Sequence, residues 1–344
     1  MMKTLFRTFF LYSLILLLAD LDGRSWRVEG ARKTRIKLTT LAPKGSSYHK
    51  ALLQMGQEWK DASDGKIDLI IYAGGIQGGE SAMVERMTIN QTQASLLTGV
   101  GLADIERDVT GLQVMPLVFR SLEEFDYVSR KVYPELEKSL KEKGYIVLFW
   151  ADAGFVRFFS KTPIVTMDDL RSVRLFTVAG DAKQESLMVS TGFNPVPLDL
   201  TDTLISLQTG LVDAVQLPPL YALAIQTYGP APHMTDLNWV PIMGAAVITE
   251  RTWNRIPEEL RPELMASAER AGEAVMESGR RENEEAIKVM VDQWGLQVHR
   301  IPPEAMVEWE RDISATYSVI RGGLVPEDMF DEVMRLVDEY RASN

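Results

Sequence analysis

The strongest constraint on the fold is an alternation of strand-like and helix-like segments that begins near residue 35. Residues 35–40 alternate polar and apolar side chains, residues 48–62 place Leu52, Met55 and Trp59 on one helical face, and residues 67–72 resume a strand. A right-handed crossover puts two such strands parallel in one sheet. The sequence therefore predicts an α/β fold that starts with a βαβ unit.

The same alternation continues in two further sets of segments. The predicted elements are helices at 81–89, 123–142, 181–191 and 201–209 and strands at 94–98, 145–150, 173–177 and 214–217. From Pro257 onward the pattern is helical, with predicted helices at 257–293, 303–320 and 326–342. A chain of 344 residues, 46% of them hydrophobic, is long enough for two packed lobes.

Charge and residue composition exclude several classes of function. The chain has 37 Lys and Arg against 48 Asp and Glu, a formal net charge of -11, and would repel nucleic acid and anionic lipid. It contains no cysteine, which excludes disulfide scaffolds, thiolate zinc sites, iron–sulfur clusters and cysteine nucleophiles. The histidines His49, His233 and His299 are far apart in sequence, so we expect isolated structural histidines and neither a metal nor a cofactor.

The first residues have the pattern of a secretory signal. Lys3 and Arg7 precede an apolar run over residues 8–19, which Asp20 and Asp22 end. The run is shorter than the roughly 20 apolar residues of a spanning helix. We therefore expect a signal peptide at 1–25 and a protein of the periplasm, with an uncleaved anchor as the alternative. A lipid-anchored lipoprotein is excluded because no cysteine follows the run.

No motif in the sequence supports catalysis. Glycines 74, 75, 78 and 79 lie between a strand and a helix, but they form neither a dinucleotide-binding nor a P-loop pattern, and we expect a tight turn at the carboxyl edge of the sheet. The adjacent acids at 123–124 and 168–169 fit helix starts. There is no nucleophile elbow or zinc-binding helix, so we predict a protein without catalytic residues.

Several segments taken together are more specific than any single motif. They are Ser63 to Tyr72, Gly78-Gly79-Glu80, Met115-Pro116-Leu117-Val118-Phe119, Pro163-Ile164 to Asp169-Leu170, and Leu207 to Ala214. In this order and spacing the chain, from about residue 33 to about 315, resembles the solute receptors of tripartite ATP-independent periplasmic (TRAP) transporters of the DctP type.

The resemblance implies a two-lobe periplasmic binding protein-like fold, a class II solute-binding protein with a long hinge-spanning helix. It assigns residues 33–152, continued by about 244–256, to lobe I and 153–243 to lobe II. The long helix and C-terminal helices, residues 257–344, would pack on both lobes. The lobes would close around one small molecule and deliver it to a two-part membrane permease driven by an ion gradient.

Family binding residues are only partly retained. Arg157 matches an arginine of the family, but Phe176 stands where the family has the arginine that binds a ligand carboxylate bidentately. Arg174, two residues earlier, matches the usual lysine and is a weak substitute. Leu217 replaces a frequent asparagine, and Thr98 stands where some members have glutamate.

These departures predict an apolar binding site, because a carboxylate without its cation would be costly to bury. The predicted apolar lining residues are Phe155, Phe176, Leu200, Leu217, Tyr221 and Ile242, and the predicted polar ones are Arg157, Gln216, Thr98 and Thr40. Any single apolar member of this set could instead belong to the core of a lobe, and the same choice stays open for Trp150 and Trp239.

The expected ligand is a hydrophobic or aromatic compound, and a weak acid that uses Arg157 is left open. The expected partner is a cognate TRAP permease that docks on the rims of both lobes, and the receptor is expected to be monomeric. Two alternatives remain. One is an exported enzyme that uses Arg157 with Asp199 or Asp213, which would turn its ligand over. The other is a ligand-sensing scaffold.

Overall fold

The computed structural model describes residues 33–179 and 182–344. The predicted signal peptide at 1–25 lies outside these residues. Among the described residues no helix combines the length and the apolar character that crossing a bilayer requires.

The described strands are β1 (Thr34–Thr40), β2 (Ile67–Tyr72), β3 (Ala94–Thr98), β4 (Tyr145–Phe155), β5 (Arg157–Ser160), β6 (Arg174–Val178), β7 (Asn194–Leu198), β8 (Ala214–Leu217), β9 (His233–Asp236), β10 (Pro241–Thr249) and β11 (Gln297–Arg300). The helices of the same part of the chain are α1 (Ser47–Ala62), α2 (Glu80–Thr88), α3 (Gly99–Ala103), α4 (Leu122–Glu142), α5 (Met167–Ser172), α6 (Ala182–Ser190), α7 (Thr203–Thr209), α8 (Pro219–Ala224), α9 (Glu250–Trp253), α10 (Arg261–Trp294), α11 (Pro303–Ser314), α12 (Tyr317–Gly323) and α13 (Glu327–Ser343). Short 3-10 turns lie at Arg107–Leu112 and Leu200–Asp202.

The first sheet has five strands in the order β2-β1-β3-β10-β4. β1 pairs in parallel with β2 and β3, as the βαβ pattern predicts, whereas β10 is antiparallel to β3 and β4. The α1 helix buries Leu52, Met55 and Trp59, the face that the sequence predicts. This sheet and its helices form lobe I.

The second sheet has six strands in the order β11-β9-β5-β8-β6-β7. β6 is parallel to β7 and β8, and β5 is antiparallel to β8 and β9. β11 is an edge strand that pairs in parallel with β9, although the sequence pattern from residue 257 onward is helical. This sheet forms lobe II, so the predicted arrangement of two α/β lobes is confirmed.

Chain crossings between β4 and β5 and between β9 and β10 connect the two sheets. The chain passes from β4 to β5 through Val156 and returns through residues 237–240 into β10, and the Val156 N–H donates to the Val240 carbonyl at 2.9 Å. The loop that contains Leu117 contacts the returning segment, since the Leu117 N–H donates to the Trp239 carbonyl at 2.9 Å. The predicted lobe boundaries at 152–153 and 243–244 fall inside β4 and β10.

The long helix α10 packs on β4, α1 and α8, and therefore on both lobes. Its 34 residues begin at Arg261, with Pro262 in the first turn. The predicted start at Pro257 is wrong, because residues 257–260 form a turn with N–H bonds back to Pro257 and Glu258. The predicted helix at 303–320 is two helices, α11 and α12, separated at residues 315–316.

Candidate functional site

A cavity of about 460 Å³ lies between the lobes at the carboxyl ends of β1, β3, β6 and β8. We call it the apolar chamber. It is lined by eight of the ten residues predicted as binding residues, namely Thr40, Thr98, Phe176, Leu200, Gln216, Leu217, Tyr221 and Ile242. This is the edge where open α/β sheets bind ligands, because parallel strands end there and loops follow.

Phe155 and Arg157, the other two predicted residues, do not line the apolar chamber. Phe155 is 7% exposed and belongs to the hydrophobic core of lobe I. The Arg157 guanidinium donates to the Asn238 side chain and lies 3.9 Å from Asp236, and its side chain is 12% exposed. Burial lowers the pKa of Arg157.

Arg174 does not replace the missing arginine. Its side chain is half exposed and donates two hydrogen bonds of 2.7 Å to the Asp213 carboxylate, away from the chamber. These bonds from Arg174 lower the pKa of Asp213. Of the acids named for the enzyme alternative, Asp199 lines the chamber and Asp213 does not.

The charged lining residues of the apolar chamber are all acidic. Among its described lining residues there is no Lys, Arg or His, whereas Glu80, Asp152 and Asp199 are acidic. The Asp152 carboxylate is neutralised by Arg280, whose Nη2 lies 2.6 Å away. An anion placed here would meet carboxylates and no lining cation, so the chamber disfavours an anionic ligand.

A glutamate does lie beside Thr98, but it is Glu80 from a different element. It is the first residue of α2 and is 7% exposed. The N–H and the hydroxyl of Thr98 both donate to its carboxylate at 2.6 Å, and the Gly101 N–H donates at 3.0 Å. Burial raises the pKa of Glu80, and these hydrogen bonds oppose the rise. The Thr98 hydroxyl also accepts from the Val100 N–H at 3.2 Å, and its own hydrogen is already donated to Glu80.

Within the part of the chain that the structure describes, several polar groups of the chamber have no hydrogen-bond partner in the protein. They include the side-chain amide of Gln216 on β8 and the hydroxyl of Tyr221 on α8. Burial raises the pKa of Tyr221, which keeps the hydroxyl protonated as a donor. Thr40 on the opposite lobe accepts from the Ala42 N–H at 3.1 Å. The chamber therefore offers few, directed hydrogen bonds on largely apolar walls.

The glycine cluster lies where the two lobes touch beside the chamber. A Cβ at Gly79 would come within 2.6 Å of Oδ1 of Asp199, and one at Gly75 would lie 3.2 Å from the methyl group of Thr201. Asp199 and Thr201 belong to lobe II, so a side chain at either glycine would press against the opposite lobe. The tight turn predicted for these glycines is thus an interlobe contact.

Further cavities lie in the described part of the chain. A second chamber of about 360 Å³ adjoins the apolar chamber, and Phe176, Gln216 and Ile242 line both. A third cavity, of about 600 Å³, lies beside α11 and contains none of the ten predicted residues.

The histidines His233 and His299 are not isolated, and that expectation is wrong. Pairing of β9 with β11 brings Nδ1 of His233 within 2.9 Å of Nε2 of His299. Burial and the neighbouring His299 lower the pKa of His233. Sequence separation hid this pair, because β11 was not predicted. Among the described residues no group of three or more His, Asp or Glu could hold a metal ion.

Tyr48 and Asp152 are chamber residues near the hinge that were not predicted from the sequence. Tyr48 on α1 donates its hydroxyl to the Asp152 carbonyl at 2.6 Å, and both residues line the apolar chamber. A signal for Asp152 was available: it is an acid inside an otherwise apolar strand, 3% exposed, and such a buried charge requires a partner. No local pattern distinguishes Tyr48 from a core residue.

Comparison with known proteins gives concordant results. A family model described as "Bacterial extracellular solute-binding protein, family 7" (DctP) matches residues 38–321. The C4-dicarboxylate-binding periplasmic protein DctP of Rhodobacter capsulatus is 22% identical over 204 residues, 59% of this chain and 61% of that protein. A solute-binding protein of Sulfitobacter sp. is 24% identical over 278 residues, 79% of this chain and 83% of its own length.

Solved structures share the fold at low sequence identity. The sugar acid binding protein DctPAm of Advenella mimigardefordensis, in complex with galactonate, superposes with a TM-score of 0.82 at 16% identity, covering 90% of this chain and 99% of that one. A TRAP periplasmic solute binding protein of Sulfurospirillum deleyianum with bound succinate gives a TM-score of 0.80 at 18% identity, covering 88% and 98%.

Proposed function

Because this chain belongs to the DctP family of bacterial extracellular solute-binding proteins, we propose that it captures an uncharged, hydrophobic or aromatic solute in the apolar chamber. Membership of the family supports the general role, that of a periplasmic TRAP solute receptor for small ligands. The lobes would close on the solute, and a cognate TRAP permease would receive it. Under this proposal the receptor acts as a monomer and breaks no bond.

The observation that carries the ligand class is the lack of a cation among the described lining residues of a chamber that has three acidic ones. An uncompensated buried charge costs several kcal/mol, roughly a thousandfold in affinity. Phe176, Leu217, Leu200 and Ile242 instead offer apolar walls, and their burial against a ligand of matching shape is favourable. Gln216 and Tyr221 would orient it.

This ligand class differs from those of the solved relatives, which hold galactonate and succinate. At 16% and 18% identity they share a fold with this chain, and one fold can carry sites of different chemistry. The difference follows from Phe176, which stands at the position of the family's carboxylate-binding arginine, and from Arg174 and Arg157, neither of which lines the chamber.

Closure is supported by the way both lobes contribute to the chamber walls. Thr40 and Leu97 come from lobe I, and Phe176 and Tyr221 from lobe II. A ligand that contacts both walls stabilises the closed arrangement relative to an open one, and it can shift that equilibrium only through such differential contacts.

A thermal-shift screen against neutral aromatics, aromatic acids, dicarboxylates and sugar acids tests the proposal. A ligand present at a hundred times its Kd should add roughly 2.7 kcal/mol to stability. We expect stabilisation by neutral aromatic or hydrophobic compounds and its loss in Phe176→Arg. The matched control is Arg174→Ala, which removes an exposed arginine outside the chamber and should keep ligand binding.

Strong stabilisation by dicarboxylates or sugar acids, with none from neutral compounds, would overturn the proposed ligand class. Incubation of the bound compound with the protein should return it unchanged, and conversion of the compound to a product would favour the enzyme alternative.

A further inference from the structure

The second chamber shares part of its wall with the apolar chamber. Phe176, Gln216 and Ile242 line both cavities, whose volumes are about 460 and 360 Å³. Each alone falls near the lower end of the roughly 300–1,000 Å³ range of ligand sites, and the two together remain within it. A single ligand could therefore extend from one chamber into the other past these side chains.

The helix that covers the second chamber is incompletely packed. None of the nine residues of α6 is buried, although Leu187 and Met188 line the chamber. Most of the stability of a helix in a protein comes from burying one apolar face. Leu187 and Met188 are only partly buried against the cores, and an apolar group inside the second chamber would add to their contacts.

The polar groups of the second chamber suit an uncharged ligand. The hydroxyls of Thr110, Thr191 and Thr316 already donate to backbone carbonyls. Within the described residues the hydroxyl of Thr177 has no partner, and neither does the Gln216 amide at the shared wall. The charged lining residues, Asp104 and Arg107, have opposite signs, and Arg107 donates to the Gly323 carbonyl at 3.2 Å.

We infer that the second chamber is a subsite for the distal half of the same ligand, which is an elongated, uncharged and mostly apolar molecule with a hydrogen-bonding group at its far end. An aromatic or branched head occupies the apolar chamber. A chain passes between Phe176 and Ile242 beside Gln216 at the shared wall, and a hydroxyl or amide at its end reaches Thr177. This inference rests on the proposed function and adds the shape of the ligand.

Calorimetric titration with ω-phenylalkanols, from benzyl alcohol to 8-phenyloctanol, tests it. Affinity should rise by about fourfold for each methylene that enters the second chamber, the value for burial of one CH₂. In Met188→Trp, where the indole fills the second chamber from α6, benzyl alcohol should bind as to the unchanged protein and the gain with chain length should disappear. Val189→Trp, at a position 62% exposed on the same helix, is the matched control and should keep the gain.

Separate outcomes identify which statement fails. If benzyl alcohol binds and affinity does not rise with chain length, or Met188→Trp leaves the rise unchanged, the second subsite is refuted and the proposed function stands. If no phenylalkanol binds while succinate or galactonate does, the proposed function fails and the inference fails with it.

Discussion

At residue 176, a phenylalanine side chain only 3% exposed forms part of the wall between the two chambers. The family resemblance places a carboxylate-binding arginine at this position, and a guanidinium and a phenyl ring create opposite requirements for a ligand. Leu217, 1% exposed, likewise makes the neighbouring wall apolar where the resemblance places an asparagine. Two substitutions in one cavity thus remove both an anion partner and a hydrogen-bond donor.

Glu80 shows how a single buried carboxylate shapes the same wall. Its two oxygens accept from the Thr98 N–H, the Thr98 hydroxyl and the Gly101 N–H. In Glu80→Gln the amide nitrogen cannot accept, so at least one backbone N–H or the hydroxyl loses its partner. We expect a loss of about 1–3 kcal/mol in the free energy of unfolding, measured by urea denaturation.

Glu85→Gln, at an exposed position of α2, is the matched control and should change the free energy of unfolding by less than about 0.5 kcal/mol. Equal unfolding midpoints for Glu80→Gln and the unchanged protein would contradict the prediction. Such a result would mean that the Glu80 carboxyl is already protonated and behaves as a neutral group.

Among the elements, α10 and β11 illustrate what local pattern can and cannot predict. The periodicity of α10 predicts a long helix, but its two interior glycines are explained only by packing. A Cβ at Gly272 would lie 2.6 Å from Cβ of Phe149, and one at Gly279 would lie within 2.3 Å of the Tyr48 hydroxyl. Glycine in a helix interior costs about 1 kcal/mol, and here it permits the close approach of α10 to β4 and α1.

The edge strand β11 carries a pH-dependent contact. Burial, followed by the charge of His299, lowers the folded-state pKa of His233 from its ordinary value of 6.5. The unfolded chain therefore binds more protons than the folded one as the pH falls through about 6.5. The stability that the neutral pair contributes is present above that pH and is lost on acidification toward the lowered folded-state pKa.

We expect the melting temperature to fall between pH 8 and pH 5.5, and His233→Gln to reduce the size of that fall. Gln297→Thr, an exposed and non-titrating position on β11, should leave the pH dependence as in the unchanged protein. A His233→Gln protein with the full pH dependence would show that the pair does not contribute to it.

Across the whole molecule, α10 makes polar contacts with both lobes near the hinge. Arg280 bonds to Asp126 on α4 and to Asp152 on β4, both in lobe I. Asn283, 4% exposed, donates to the Ala153 carbonyl and accepts from the Leu220 N–H at 2.8 Å. Because Ala153 and Leu220 both line the apolar chamber, Asn283 of α10 holds these two lining segments in place.

Arg280→Met should lower the free energy of unfolding by about 3–5 kcal/mol, because it leaves the Asp152 carboxylate buried without a cation. The double variant Arg280→Met with Asp152→Asn should recover much of this loss, which urea denaturation would measure. Arg281→Met removes a half-exposed arginine one position along and should have an effect below about 0.5 kcal/mol. A double variant no more stable than Arg280→Met would refute the explanation by an unpaired charge.

The sequence by itself determined the α/β class and the parallel arrangement of β1 and β2, because strand and helix periods are local properties that survive without knowledge of packing. The family and its two-lobe fold followed from the resemblance of several motifs in a fixed order. It also placed Phe176 and Leu217 by motif, and eight of ten proposed residues line one chamber.

Only the tertiary structure decided which charges meet. The Arg280–Asp152 pair spans 128 residues of sequence and the His233–His299 pair spans 66. Likewise, Arg157 lies beside Asn238 and Asp236 instead of in the chamber. The partner of a side chain depends on how distant elements pack and on which face of the sheet the side chain points to. Local periodicity does not contain that information.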